Sequence, residues 1–189
     1  MFLKDQSEIQ NLVWSDSQYM YRALLMTRLS IRKPFERVKT AVNDVVHQGP
    51  DMWSNTQVRR SCEELSLLTN RLLREYSSDD GDSIFRESLT VYGIGLAKAG
   101  FIAQLLTGTI GCLDTHNLKL YGLDINMRTD GSYASVQQNI LTYYAACVMC
   151  GGSEVLWDNW CAHLARIRPA VWPTAESVSR YHVQIVEGK

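Results

Sequence analysis

Apolar and polar positions along this chain repeat with the 3.6-residue period of helices, not the two-residue period of strands. Leu12, Trp14, Tyr19, Leu24, Leu25 and Leu29 mark a helical segment over residues 7–31, which Pro34 closes. Phe35 to Val46 reads as a second helix, broken by Gly49-Pro50. From Asn55 or Thr56, both good caps, a long helix is predicted to Tyr76, with Val58, Cys62, Leu65, Leu67, Leu68, Leu72 and Leu73 on its inner side. After the loop Ser77-Ser78-Asp79-Asp80-Gly81-Asp82, the pattern predicts a helix from Ile84 to Val91. The next opens near Gly95 and carries the apolar run Phe101-Ile102-Ala103 and Leu105-Leu106. Asp114 is a candidate N-cap for a short helix that reaches Tyr121 and stops at Gly122. A polar loop with Asp124, Arg128, Asp130 and Gly131 leads to a helix over Tyr133–Cys150, ended by Gly151-Gly152. Two last helices are expected at 153–166 and 174–186, with Pro169 and Pro173 between them. The expected fold class is all-α.

Size and composition narrow this picture. The 189 residues, 46% of them hydrophobic, suit one helical domain over 1–189 with a sizeable core. A net charge of −1 means that no global basic field advertises a nucleic-acid partner, so any such contact has to be local. Charge is uneven, however. Arg22, Arg28, Arg32, Lys33, Arg37 and Lys39 face only Glu36 within their stretch, which reads either as a basic face or as solvated surface. The start, Met1-Phe2-Leu3-Lys4-Asp5-Gln6, has no apolar signal core, and no run approaches the roughly 20 apolar residues of a membrane span. The expectation is a cytoplasmic protein without a membrane partner. Five cysteines fit reduced thiols. Cys147-Val148-Met149-Cys150 is a C-x-x-C without a second pair, so buried structural cysteine is expected, with no metal and no cofactor.

The stretch Val91-Tyr92-Gly93-Ile94-Gly95-Leu96-Ala97-Lys98-Ala99-Gly100 carries the most chemistry. Gly93 and Gly95 are expected to break one helix and open the next, because glycine takes positive φ freely. First-turn amides of the second helix then point out of the turn beside the positive end of its dipole, a place that suits a phosphate. Tyr92, Gly93, Ile94 and Gly95, with Lys98 beside them, are the candidate DNA-backbone contacts. Asp114 follows 19 residues after Gly95, in Leu113-Asp114-Thr115-His116-Asn117.

This pattern, with its apolar helix and Asp-Thr-His ending, resembles the helix-hairpin-helix DNA glycosylase superfamily over residues 85–121, within a motif of about 82–121. The resemblance implies a helical glycosylase-like domain in which Asp114 is the active-site carboxylate, stabilising positive charge on the sugar or activating a nucleophile. The lysine that bifunctional members use for Schiff-base chemistry matches Ala97 here, and Lys98 is one residue later. Tyr92 replaces the family's common proline. Some members carry a four-cysteine cluster whose central pair has the spacing of Cys147 and Cys150, but Ile140 and Leu156 stand where its outer ligands belong. The wording from Gly95 to Asn117 is also similar to phage-encoded members, some of them linked to thymine hypermodification.

His116 is a second catalytic candidate, orienting Asp114 or serving as a general acid. Asn117 is a weaker one. Trp157, Trp160, Trp172, Tyr143, Tyr144 and Tyr181 read as core aromatics or as platforms for an exposed base, and His163, Arg166 and Arg168 as residues beside a cleft. The expectation is an enzyme that acts on a base in DNA, by N-glycosidic cleavage or by transfer onto a modified thymine. Two alternatives stay open: a helix-hairpin-helix binding module without chemistry, and a helical interaction protein whose motif is coincidental.

Overall fold

The described residues, 3–31, 33–125 and 133–189 of a computed structural model, form ten α-helices and no strand. They are α1 (Leu3–Ser15), α2 (Ser17–Leu29), α3 (Val38–Gln48), α4 (Thr56–Glu75), α5 (Gly81–Ser88), α6 (Leu96–Thr107), α7 (Thr115–Leu120), α8 (Tyr133–Met149), α9 (Gly152–Ile167) and α10 (Ala175–Glu187). Arg32, Arg128, Asp130 and Gly131 lie outside the described residues.

Local chemistry explains where the helices depart from the predicted spans. The segment expected over 7–31 divides at Asp16, whose backbone is extended and whose carboxylate accepts from the Gln18 amide at 2.6 Å, capping α2. A tight 3-10 turn, Phe35–Arg37, precedes α3. In α4 the Asn55 side chain caps Gln57 and Val58. Cys62, Leu65, Leu68 and Leu72 face inward there, but Leu67 points outward and is 67% exposed. The helix expected from Ile84 to Val91 is α5, which starts at Gly81 and ends at Ser88, because Leu89 to Val91 turn back on Arg86, Glu87 and Ser88.

The buried apolar side chains form one cluster that draws on the helices from α1 to α10. Helix α6 runs through its middle, with Ala99 to Leu106 all buried, and packs against α1, α2 and α5. Gly100 lets α6 approach the loop before α7, since a Cβ there would overlap the Tyr143 hydroxyl and lie 2.6 Å from the Gly111 carbonyl oxygen. Cys147, Cys150 and Cys161 are buried free thiols, and burial pushes Cys147 up to about 12, which suits structural thiols better than reactive ones. Among the described residues no single helix is long and apolar enough to cross a membrane.

His182 sits fully buried against Phe35 and Trp157, with ring centroids 4.7 and 4.6 Å away. Its Nδ1 bonds the Val178 carbonyl at 2.9 Å, while Nε2 has no partner. Burial holds the imidazole down at about 4, against an ordinary 6.5. Between those values the unfolded chain binds a proton that the folded chain refuses. Stability should therefore fall as pH drops from about 6.5 to about 4, by about 3 kcal/mol in total, and this contribution should be flat above 6.5. Urea midpoints of the wild type and His182→Phe across that range check this, because the variant should lose that part of the slope.

Candidate functional site

The turn between α5 and α6 is tied to α4 through its backbone. The Tyr92 amide donates to Glu64 Oε2 at 2.6 Å, and its carbonyl accepts from Ser61 Oγ at 2.7 Å. Arg60 pairs with Glu64 at 2.7 Å and lies 4.7 Å over the Tyr92 ring. Those two partners, the Tyr92 amide first, hold the Glu64 carboxyl below its usual range. Gly93 has φ +76° and packs against the Arg28 guanidinium, so the left-handed position expected of the hairpin is there. Gly95 is different. Its backbone is extended (φ −100°, ψ −178°), a conformation open to any residue, and a Cβ there would meet nothing within 4 Å. Ile94 also departs from the expected contact set, because its side chain is buried and its amide is already bonded to the Val91 carbonyl at 3.1 Å. Helix α6 starts without a side-chain cap, so its first-turn amides stand beside the open space at Gly95.

Lys98, in that first turn, donates from Nζ to Ser30 Oγ at 2.9 Å, which links α6 to the end of α2. Both residues line a cavity of about 190 Å3. Phe101 and Gln104 of α6, Trp160 and Leu164 of α9, and Lys33 and Phe35 from the basic stretch form much of its wall. Asp114, Cys112 and Asn117 complete it. Sequence pattern singled out Lys98 and Asp114, and the fold brings both to this one space. Burial lowers Lys33, whose ammonium lies 4.5 Å over the Trp53 ring.

Asp114 is held from both sides. Its Oδ1 accepts from the Asn117 amide at 2.9 Å, the cap that the sequence predicts for α7. Just upstream, the fully buried Tyr143 hydroxyl accepts from the Leu113 amide at 2.9 Å and donates to the Gly111 carbonyl at 2.8 Å. Asn117 is almost fully buried, and its Nδ2 donates to the carbonyls of Cys112 and Leu156 at 2.9 and 3.4 Å. Those two acceptors fix which end of the amide is nitrogen and leave Oδ1 buried without a partner. Gln104 donates to the Ser153 carbonyl at 2.6 Å and accepts from the Cys112 amide at 3.2 Å. The Cys112 thiol, pushed up to about 12 by burial, is no ready nucleophile.

His116 does not line this cavity. It stacks instead on His163 of α9, with ring centroids 3.6 Å apart and planes 24° from parallel. Of the aromatic set, Trp160 reaches the cavity. Trp157, Trp172 and Tyr143 are core, Tyr181 belongs to the aromatic cluster around Phe35, and Tyr144 bonds Asp82. Arg166 sits beside His163, and Arg168 is exposed at the end of α9. Sequence reasoning does not point to Ser30, Phe35, Phe101, Gln104, Cys112 or Leu164 as site residues and gives Asn117 little weight. Lys33 carried one signal, its place in the basic run.

No protein-family model, curated protein or solved structure matches this chain. The resemblance in residues 85–121 therefore rests on the sequence of those residues alone.

Proposed function

We propose that this chain is an enzyme that acts on a base in DNA. The backbone binds at the open amides around Gly93 and Gly95, and an extruded base enters the adjoining cavity. Chemistry on a base inside a duplex requires taking it out of the stack, which calls for a small pocket with aromatic or apolar walls. The observation that carries this reading is the shared cavity: Asp114 opens onto a space walled by Phe35, Phe101 and Trp160, and Lys98 connects it to the uncapped start of α6. Its volume, about 190 Å3, falls below the roughly 300 Å3 at which drug-sized pockets begin, so it suits one flat ring and excludes a long ligand. Asp114 then supplies negative charge where a sugar cation develops, on a short loop pinned by Tyr143.

Duplex and single-stranded oligonucleotides carrying a panel of damaged and modified bases test this, with mass spectrometry of the released bases and digested nucleosides. The proposal expects one substrate to lose a base or to change in mass. DNA binding through the hairpin, with no change in any substrate, would make the chain a binding module.

Two further outcomes follow from the hairpin. Gly95→Val should fold with little loss of stability, since the backbone is extended and the space is open. It should nevertheless lose DNA affinity, on the order of tenfold or more, because its side chain fills the approach to the amides. Equal affinity in a gel-shift titration, with an unchanged melting curve, would remove the hairpin from the binding site. Borohydride should trap no protein–DNA adduct, because Ala97 occupies the place of the Schiff-base lysine and Lys98 is bonded to Ser30. A trapped adduct at Lys98 or Lys33 would make the protein a lyase.

A further inference from the structure

One polar atom in the wall of the cavity has nothing to bond. Asn117 lines that space, is 1% exposed, and turns its Nδ2 to the Cys112 and Leu156 carbonyls at 2.9 and 3.4 Å. Its Oδ1 is left buried without a hydrogen-bond partner, the only side-chain nitrogen or oxygen of the wall in that state among the described residues. Such carbonyls are rare, because each has given up its water and taken no donor in exchange. The other neutral acceptors of the wall are engaged. Gln104 Oε1 accepts from the Cys112 amide at 3.2 Å, and Ser30 Oγ accepts from Lys98 Nζ at 2.9 Å. Donors, by contrast, are in surplus. An ammonium has three N–H bonds, so Lys98 has two left after Ser30, and Lys33 stands on the same wall. The empty acceptor is also tied to the proposed reaction centre. The main-chain amide of Asn117 donates to Asp114 Oδ1 at 2.9 Å, which keeps the side-chain amide and the carboxylate in a fixed relation.

We infer that Asn117 Oδ1 reads the base, and that the base is an oxo-base, with a ring N–H beside a carbonyl, as in uracil, thymine or hypoxanthine. The inference rests on the base-acting reading of the cavity and holds for cleavage and transfer alike. The ring N–H donates to Oδ1, and the neighbouring carbonyl accepts from Lys98 or Lys33. One donor and one acceptor on the base then meet the one empty acceptor and the spare donors of the wall. An amino-base fits this wall poorly. The exocyclic amine of cytosine or adenine carries two N–H bonds and meets a single empty side-chain acceptor. Its second N–H is stranded unless it takes the Asp114 carboxylate away from the sugar.

Free bases test this without any DNA. Uracil and hypoxanthine are titrated into isotope-labelled protein, beside their forms methylated at that ring nitrogen, and beside cytosine and adenine. NMR follows the side-chain amide signals of Asn117. At least one oxo-base should shift them saturably. Its methylated form and both amino-bases should bind more weakly, on the order of tenfold or more, because each leaves a buried polar group unpaired. In Asn117→Leu, which keeps the shape, the oxo-base and its methylated form should bind alike, a loss of discrimination that a structural role alone would not produce. Leucine also leaves the Cys112 and Leu156 carbonyls without their donor, so where that variant does not fold, the ligand series on the wild type carries the test. Equal binding of the methylated form would overturn the role of Asn117 and leave Asp114 and the cavity as they stand. A preference for cytosine or adenine would overturn the oxo-base class. Where no free base shifts Asn117, the base released or changed in the oligonucleotide panel decides: an oxo-base supports the inference, and an amino-base overturns it. Silence in both the titration and the panel counts against the base-acting reading and, with it, the role given to Asn117.

Discussion

Gly100→Ala should destabilise the protein by about 2–3 kcal/mol, although alanine in place of a mid-helix glycine ordinarily stabilises by about 1 kcal/mol. The reversal comes from packing. The added methyl would overlap the Tyr143 hydroxyl and crowd the Gly111 carbonyl oxygen at 2.6 Å. One obstacle is backbone. The other is a fully buried phenol already bonded to Gly111 and Leu113, so neither retreats without breaking a hydrogen bond. For a chain of this size the expected loss corresponds to a melting point lower by about 5–10 °C. Urea unfolding and a thermal scan measure it directly. An unchanged or raised midpoint would mean that the loop at 111–113 moves freely, and Asp114 would then be less firmly held than its hydrogen bonds indicate.

Local signals in the sequence were readable where local chemistry decides. The Asp114 cap, the helix after Gly95 and the proline and glycine breaks each depend on a few neighbouring residues, and they fall where the pattern places them. Asp16 is local too, yet the apolar positions continue across it and hide the break between α1 and α2. Adjacent turn glycines look alike in sequence, so Gly95 reads there as a second positive-φ position, which the structure does not give it. How the turn closes, with the Ile94 amide bonded to the Val91 carbonyl, gives the positive φ to Gly93 and extended backbone to Gly95.

The cavity wall was mostly beyond such reading. Ser30, Lys33 and Phe35 meet Lys98 and Asp114 across more than sixty residues of chain, and helical periodicity carries no record of which faces come together. Asn117 looks like an ordinary polar residue on a short helix until the Cys112 and Leu156 carbonyls bury it. Among the tryptophans, Trp157 and Trp160 lie one helical turn apart. Only the packing of α9 against the core and the cavity sends Trp157 to Ser179 and Trp160 to the site.

The role of Asp114 is the centre of this reading, and Asp114→Asn isolates it. Asparagine caps a helix about as well as aspartate, so the Asn117 amide keeps its partner and α7 should stay formed. What disappears is the negative charge facing the cavity. Removing one preorganised electrostatic stabiliser typically costs on the order of 10²–10³ in rate, about 2.7–4 kcal/mol of barrier. DNA affinity should remain, because the hairpin amides and Lys98 are untouched. The decisive measurement is the rate of base release or base mass change for Asp114→Asn and wild type on the same oligonucleotide, with DNA binding followed in parallel. A loss of at least 10² at unchanged affinity is expected. Equal rates in the two proteins would contradict the assignment of the reaction centre to Asp114.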